Sequence, residues 1–175
     1  MTELLGGLNR VERKATLLYV GADPGNSGAL AVLDAVTDAL QVFATQTVAG
    51  RTRGRDIVWA PTCDWLDEVA PTWLRAHAVV ELVGARPGQG ASSGFKFGRG
   101  LGAIDGIMAQ RRTPITRVTP GVWKKHFGLI GRDKDASRAR ACELFPSYAR
   151  LFARVKDDGV AEAALLARYG FDKGL

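Results

Sequence analysis

Cysteine and histidine are scarce in this chain of 175 residues, which has two of each. Cys63 and Cys142 lie far apart and match no zinc-ligand spacing, which argues against a structural zinc site. We expect two reduced, buried thiols, as in a cytoplasmic protein. His77 and His126 have no obvious nucleophile beside them, so no Ser-His-Asp pattern is present.

Long apolar runs are also missing. No stretch approaches the ~20 residues that a transmembrane helix needs, so we expect no membrane partner. The first residues, MTELLGGLNRVERKA, mix acidic and basic side chains without an apolar centre, which argues against a signal peptide. Repeats and long linkers are absent too. We therefore expect a flexible lead-in over residues 1–15 and a single domain over residues 16–175.

Basic residues outnumber acidic ones by 24 to 18, which gives a net charge of +6, and 46% of the residues are hydrophobic. This hydrophobic content predicts a globular fold. The positive charge favours a polyanionic partner such as nucleic acid, although solubility alone would also favour a net charge.

The order of apolar segments predicts a mixed α/β sheet with helices on its faces. Three strands joined by short turns come first and form an antiparallel meander. Residues 50–55 form a basic, glycine-containing turn, and Pro71 kinks or divides the helix that follows. We expect strands over 16–22, 28–33, 40–48, 78–83 and 115–118, and helices over 62–75, 95–111, 120–127, 133–144 and 158–169, the last stopped by Gly170.

Two acidic residues occupy unexpected positions. Asp23 ends an apolar strand just before a tight turn, where it could simply bond to its own backbone. Glu81 lies within the apolar strand AVVELV, and burying a carboxylate without a partner is costly. A salt-bridged or edge-facing Glu81 is the alternative.

A third acidic group opens the last helix and contains Asp157, Asp158 and Glu162. Asp158 and Glu162 are four residues apart and so share a helix face, whereas Asp157 suits an N-cap. Carboxylates brought together repel one another unless a cation neutralises them, and oxygen ligands suit Mg²⁺. The acids at these positions therefore predict a two-metal site for phosphodiester hydrolysis.

Five segments together resemble those of RuvC-family Holliday junction resolvases, and specifically the phage-type RuvC-like endonucleases. They cover most of the chain from Leu17 to Gly170. The segments are GADPGNSGALAVLD (residues 21–34), AVVELV (78–83), SSGFKFGRGLGAIDGIMA (92–109), TPGVWKKHFGL (119–129) and KDDGVAEAALLARYG (156–170).

This resemblance implies an RNase H-like fold, a homodimer, two Mg²⁺ ions per site that Mn²⁺ can replace, and paired cuts across a four-way DNA junction. It assigns metal binding and catalysis to Asp23, Glu81, Asp158 and Glu162, with Asp157 as the alternative to Asp158. It also implies a bacterial or phage-encoded protein in the cytoplasm. Many members have aspartate where Glu162 stands, and bacterial members have an aromatic residue where this chain has Gly84.

Candidate DNA-binding residues lie in three segments. One alternates aromatic and basic residues that could stack on bases and contact phosphates, although its phenylalanines could instead belong to the core. A second contains two lysines beside Trp123, a residue expected in the core. A third is a basic helix face that could equally be only solvated. The residues are Phe95, Lys96, Phe97, Arg99, Lys124, Lys125, Lys134, Arg138 and Arg140.

The sequence thus predicts a structure-selective DNA endonuclease that acts on four-way junctions and other branched DNA. One alternative is a non-catalytic basic DNA-binding module with the same fold. A less favoured alternative is one lobe of an actin-like small-molecule kinase, because residues 21–29 resemble a phosphate-binding turn. Such kinases need two lobes, for which this chain is too short.

Overall fold

The computed structural model describes residues 17–50, 55–71, 75–84, 90–133 and 135–175. The expected lead-in over residues 1–15 and the candidate DNA contact Lys134 lie outside these ranges.

Within them the chain forms seven strands and five α-helices. The strands are β1 (Leu17–Asp23), β2 (Ala29–Asp34), β3 (Leu40–Ala44), β4 (Thr47–Ala49), β5 (Arg55–Ile57), β6 (Arg75–Glu81) and β7 (Ile115–Val118). The helices are α1 (Ala60–Val69), α2 (Ala91–Gln110), α3 (Pro120–His126), α4 (Ala136–Leu144) and α5 (Asp158–Lys173), and two short 3-10 helices (Pro146–Phe152 and Val155–Asp157) precede α5.

Five strands form one sheet in the order β3-β2-β1-β6-β7. β1, β2 and β3 pair antiparallel, and β6 and β7 continue the sheet parallel to β1. This arrangement confirms the predicted mixed sheet. The parallel strands β1 and β6 are central, so Asp23 and Glu81 reach the same sheet edge at their carboxyl ends.

Helices cover both faces of the sheet, as predicted. Because side chains alternate along a strand, β1 contributes Tyr19 to one face and Leu18 and Val20 to the other. The Tyr19 face packs against α5, and the opposite face packs against α1 and α2 through Leu66 and Ile104. The resulting three-layer packing fixes the helices relative to the strand ends.

Some element boundaries differ from the expectation. α1 ends at Val69 and not at residue 75, because Pro71 cannot donate the backbone hydrogen bond that would extend the helix. α5 continues through Gly170 to Lys173 and ends at Gly174, which adopts a left-handed conformation. The segment expected as one strand over residues 40–48 is divided, and its second part pairs with β5 in a separate hairpin.

Cys63 and Cys142 are free thiols as expected, although both are half-buried and not fully buried. In the part of the chain that the structure describes, no helix is both long and apolar enough to cross a membrane.

Candidate active site

Asp23 is the last residue of β1 and lies in the turn that joins β1 to β2. One of its carboxylate oxygens, Oδ1, accepts a hydrogen bond from the Gly25 N–H at 3.0 Å. Gly28 approaches the Asp23 backbone so closely that a Cβ there would lie 2.1 Å from the Asp23 carbonyl oxygen. The turn therefore orients the carboxylate. The alternative that Asp23 only bonds to its own backbone accounts for Oδ1 alone of its two carboxylate oxygens.

Glu81 is the last residue of β6 and is only 6% exposed. Its Oε1 accepts a hydrogen bond from the indole Nε1–H of Trp123 at 2.9 Å. Trp123 is fully buried, as expected for a core residue, but no sequence pattern predicted its contact with Glu81. The indole fixes the orientation of the Glu81 carboxylate without neutralising its charge, because indole is a neutral donor.

Glu162 approaches these two acids from α5. Its Oε1 forms an ion pair with the Lys124 ammonium at 2.8 Å and accepts a hydrogen bond from the Ser137 hydroxyl at 3.3 Å. Lys124 comes from α3 and Ser137 from α4. Elements from three parts of the chain therefore position this one carboxylate.

The pKa values show that the three acids act on one another. The pKa of Asp23 is raised to about 6, chiefly by burial and in part by the negative charge of Glu162, while the Gly25 hydrogen bond and Lys124 oppose the rise. The pKa of Glu81 is raised to about 7, again chiefly by burial, with repulsion from Asp23 and Glu162 adding to the rise and the Trp123 hydrogen bond and Lys124 opposing it. Among the described residues, Lys124 is the cation that acts on both groups.

Close packing of α5 on the sheet brings Glu162 to this position. A Cβ on Gly21 of β1 would lie 2.0 Å from the Ala163 carbonyl oxygen of α5. A Cβ on Gly159 would lie 2.1 Å from the Ser27 carbonyl oxygen, in the turn after Asp23. These glycines let the helix and strand backbones touch, and any side chain would push the acids apart.

Asp158 starts α5, in agreement with the predicted helix start, but it contacts a different cation. Its Oδ1 accepts a hydrogen bond from Arg138 Nε at 2.7 Å, and Arg138 also pairs with Asp135. The Arg138 side chain is only 12% exposed. Arg138 therefore holds Asp158, and it does not belong to a freely solvated basic face.

Asp157 is directed elsewhere. It is 4% exposed, accepts a hydrogen bond from the Arg154 backbone N–H at 2.9 Å and pairs with the Arg154 guanidinium. The Arg154 hydrogen bond holds the pKa of this carboxyl below its ordinary value. Asp157 thus stabilises the 3-10 turn before α5, and its side chain caps that turn.

The donor set fits Mg²⁺ in kind. Asp23, Glu81 and Glu162 provide carboxylate oxygens, the ligands that Mg²⁺ prefers, and they carry three potential negative charges beside the single Lys124 ammonium. Within the described ranges, no three such side chains stand close enough to coordinate one ion as they are placed. Lys124 and Arg138 instead engage the two α5 acids.

The candidate DNA contacts are distributed over several surfaces. Phe95 is 69% exposed, which disfavours the core alternative for that residue, while Phe97 and Lys96 are half-buried. Lys125 is exposed on α3, next in sequence to Lys124. Arg140 pairs with Glu143 at 2.7 Å, and Arg99 pairs loosely with Asp56 at 3.8 Å.

Solved structures with the same fold include RuvC. RuvC from T. thermophilus in complex with a Holliday junction substrate aligns with a TM-score of 0.54 and 14% identity over 90% of this chain and 96% of that chain. A second Thermus thermophilus RuvC structure aligns with a TM-score of 0.50 and 17% identity over 90% and 96%. The fowlpox virus Holliday junction resolvase aligns with a TM-score of 0.43 and 13% identity over 90% and 99%.

No protein-family model matches the sequence, and no curated protein matches it. The structural likeness establishes the fold: the chain has the RNase H-like architecture of RuvC, as predicted.

Proposed function

We propose that this protein is a metal-dependent endonuclease that cuts branched DNA, and four-way junctions in particular. The observation that carries the proposal is the meeting of Asp23, Glu81 and Glu162 at one edge of the sheet, where two of the three have raised pKa values. Carboxylates held this close repel one another and destabilise the fold unless a bound cation neutralises their charge. The RuvC-like fold around them supports nuclease chemistry over other uses of a cation.

In this proposal Asp23, Glu81 and Glu162 hold the metal, and Asp158 completes the set. Two bound Mg²⁺ ions, for which Mn²⁺ can substitute, would supply an activated water and stabilise the leaving oxygen of the phosphodiester. The Trp123 indole keeps Glu81 oriented, and Arg138 fixes the orientation of Asp158 at the start of α5. Lys124 reduces the repulsion among the acids before the cation arrives.

The DNA is proposed to lie across the exposed basic and aromatic side chains near this edge. Phe95 can stack on an unpaired base, and Lys96, Arg99 and Lys125 can contact phosphates. Phe97 lies at the same end of α2 and is half-buried, so less of its ring is available for stacking. Arg140 stays in the proposal as a further contact to the DNA backbone, and so does Lys134 on the sequence pattern alone.

We also propose a homodimer formed through α2. The apolar side chains of α2 face inward and are not available to such an interface: Ile104 is fully buried, and Leu101 and Ile107 pack against the core. The side of α2 that faces outward carries a glycine every fourth residue. Among the described residues, a Cβ on any of these glycines would meet open space; they are Gly94, Gly98, Gly102 and Gly106.

Cleavage of a labelled synthetic four-way junction in Mg²⁺, beside a linear duplex and a flap of the same sequence, tests the nuclease. We expect paired cuts in the junction, little cutting of the duplex, and no cutting in chelator. Calorimetric titration with Mn²⁺ gives a second readout, in which Asp23→Asn binds less metal than the unaltered protein. Junction binding without any cleavage or metal binding would favour the non-catalytic DNA-binding module.

A further inference from the structure

The β4–β5 hairpin and the amino-terminal half of α2 enclose a small cleft, with a volume of about 210 Å³. Cationic side chains come from both walls, and an aromatic residue closes one side. The residues that matter for its chemistry are Asn26, Arg55, Asp56, Trp59, Lys96 and Arg99.

The cleft is continuous with the turn that carries Asp23. The Asn26 amide, three residues beyond Asp23, donates a hydrogen bond to the Arg55 carbonyl oxygen at 2.9 Å and so joins the turn to the hairpin. On the other side, α2 touches the same turn at Gly100, where a Cβ would lie 2.3 Å from the Pro24 carbonyl oxygen. A strand bound at Asp23 would therefore run directly past the cleft.

Arg55 is prepared to bind a ligand. Its Nε donates to the Thr47 hydroxyl and its Nη2 donates to the Thr47 carbonyl oxygen at 2.7 Å, across the hairpin. Among the described residues, Nη1 has no hydrogen-bond partner, and the Arg55 side chain is exposed to solvent. The guanidinium is thus held in one orientation with a donor left to bind an acceptor, which reduces the entropy lost on binding.

Arg99 and Asp56 face each other across the cleft. Their charged atoms are 3.8 Å apart, and their side chains are 61% and 36% exposed. An ion pair this long and this exposed contributes little to stability. Arg99 is therefore available to a competing anion, and among the described residues that line the cleft Asp56 is the one acid that opposes anion binding.

We propose that this cleft binds the DNA backbone phosphates next to the phosphodiester that is cut. The inference rests on the proposed nuclease function and adds a binding surface to it. Among the described residues that line the cleft, two guanidinium groups, Arg55 and Arg99, stand against one carboxylate, Asp56, and this balance selects an anionic ligand. The volume is below the ~300 Å³ of ordinary small-molecule sites, which suits a phosphodiester better than a whole nucleotide or metabolite. Guanidinium groups match phosphate geometry through paired donors.

Opposite effects of two substitutions test the proposal. With the full-length protein in chelator, we measure the Kd for a synthetic four-way junction at several salt concentrations. Arg99→Gln should raise Kd by about tenfold and reduce the salt slope by about one phosphate contact. Asp56→Asn should lower Kd by about threefold or more, because it removes the repelling charge. Arg75→Gln, the same charge change at the opposite end of the sheet, is the matched control and should change Kd by less than about twofold.

If Asp56→Asn weakens binding as Arg99→Gln does, the two residues form only a structural brace and the proposal is wrong. Unchanged Kd and salt slope for both variants would also overturn it. Arg55→Gln should weaken binding in the same direction as Arg99→Gln. If that variant disturbs the hairpin, the Asp56→Asn result still decides.

Neutral methylphosphonate linkages placed one at a time along the junction strands locate the contact. The linkage that weakens binding of the unaltered protein, but not of Arg99→Gln, should lie within a few nucleotides of the cut. A contact mapped far from the cut would contradict the proposal. Cleavage assays in Mg²⁺, run in parallel, distinguish the proposed phosphate-binding cleft from the proposed nuclease function. If the junction is cut but Kd does not respond to Arg99→Gln, the cleft proposal is wrong and the nuclease proposal stands. Binding shifts in the expected directions without any cutting would leave the cleft and remove the nuclease.

Discussion

Single carboxylates differ sharply in what surrounds them, and their expected roles differ accordingly. One carboxylate oxygen of Asp23 accepts a hydrogen bond from the Gly25 N–H. The charge of Glu162 raises the pKa of this carboxyl, and the charge of Lys124 lowers it. Asp23→Asn keeps the shape and an acceptor for the Gly25 N–H but removes the charge. We expect this variant to lose cleavage while it still binds junction DNA, measured by a single-turnover assay and a binding titration. Loss of DNA binding with intact metal binding would contradict the assignment.

The three acids before and within α5 should separate into two classes. Asp158→Asn and Glu162→Gln should lose activity at saturating Mg²⁺, because Glu162 acts on Asp23 and Glu81 directly and Asp158 is one helical turn before it in α5. Asp157→Asn should retain most activity and cost about 1 kcal/mol of stability, the usual scale for a helix cap. All three variants are assayed under identical conditions. An inactive Asp157→Asn beside an active Asp158→Asn would reverse the assignment.

Glu81 should make stability depend on pH in the metal-free protein. Its pKa is about 7 in the folded state and has the ordinary value of 4.5 in the unfolded chain, so the folded form binds the proton more tightly. The stability that results is fully present below pH 4.5 and is lost as the pH rises towards 7. Its total is at most about 3 kcal/mol, at 1.36 kcal/mol per pKa unit.

Glu81→Gln removes this titration and keeps an acceptor for the Trp123 indole. In chelator the variant should therefore gain thermal stability relative to the unaltered protein as the pH rises from 5 to 8. Added Mg²⁺ at pH 8 should stabilise the unaltered protein by binding and reduce the difference. A stability difference that does not change with pH would contradict the raised pKa.

At the scale of elements, the contact between β1 and α5 controls the site. Gly21→Ala places a methyl group 2.0 Å from a backbone oxygen of α5, which cannot move without moving the helix. Gly170→Ala places one 2.8 Å from side-chain atoms of Tyr19 and Val79, which can shift. We expect Gly170→Ala to cost about 1–3 kcal/mol, the scale of overpacking, and Gly21→Ala to cost more and to lose cleavage.

Thermal melts and cleavage rates of both variants check this ranking. Gly121→Ala in α3 is the matched control, because a Cβ there meets open space among the described residues. It should be neutral or stabilise by up to about 1 kcal/mol, since alanine favours a helix. Equal damage from Gly21→Ala and Gly121→Ala would show that close backbone contact does not position α5.

The same elements show what the sequence could and could not predict. Apolar periodicity located β1, β2, β7 and the amphipathic α5, because these elements bury one strong stripe or a whole strand. The β4–β5 hairpin escaped prediction because its strands have three residues each and are largely exposed, so burial leaves no pattern in them. The Trp123–Glu81 and Arg138–Asp158 contacts join residues that are 42 and 20 positions apart in the sequence. Composition and local spacing do not predict side-chain pairs that far apart.

At the scale of the whole molecule, the outward side of α2 that carries Gly94, Gly98, Gly102 and Gly106 offers a surface for a second copy of the chain, and two copies could cut two DNA strands together. Glycines at every fourth position lie along one side of a helix, and their lack of side chains lets a second helix approach closely. A homodimer through this face would relate two sites by a twofold axis, which suits paired cuts in a near-symmetric junction. A monomer would have to rebind before it could make the second cut.

Replacing Gly98 and Gly102 by leucine should therefore produce a monomer that remains folded. Leucine is a better helix former than glycine and has open space in the single chain, so thermal stability of the monomer should not fall. Light scattering at about micromolar concentration should give a dimer mass for the unaltered protein and half that mass for the variant. Ala139→Leu, on the exposed side of α4, is the control and should stay dimeric.

On junction DNA the Gly98→Leu, Gly102→Leu variant should release singly nicked product, where the unaltered protein makes both cuts before dissociating. A monomer mass for the unaltered protein, both free and bound to the junction, would remove the dimer and leave paired cutting to two independent binding events.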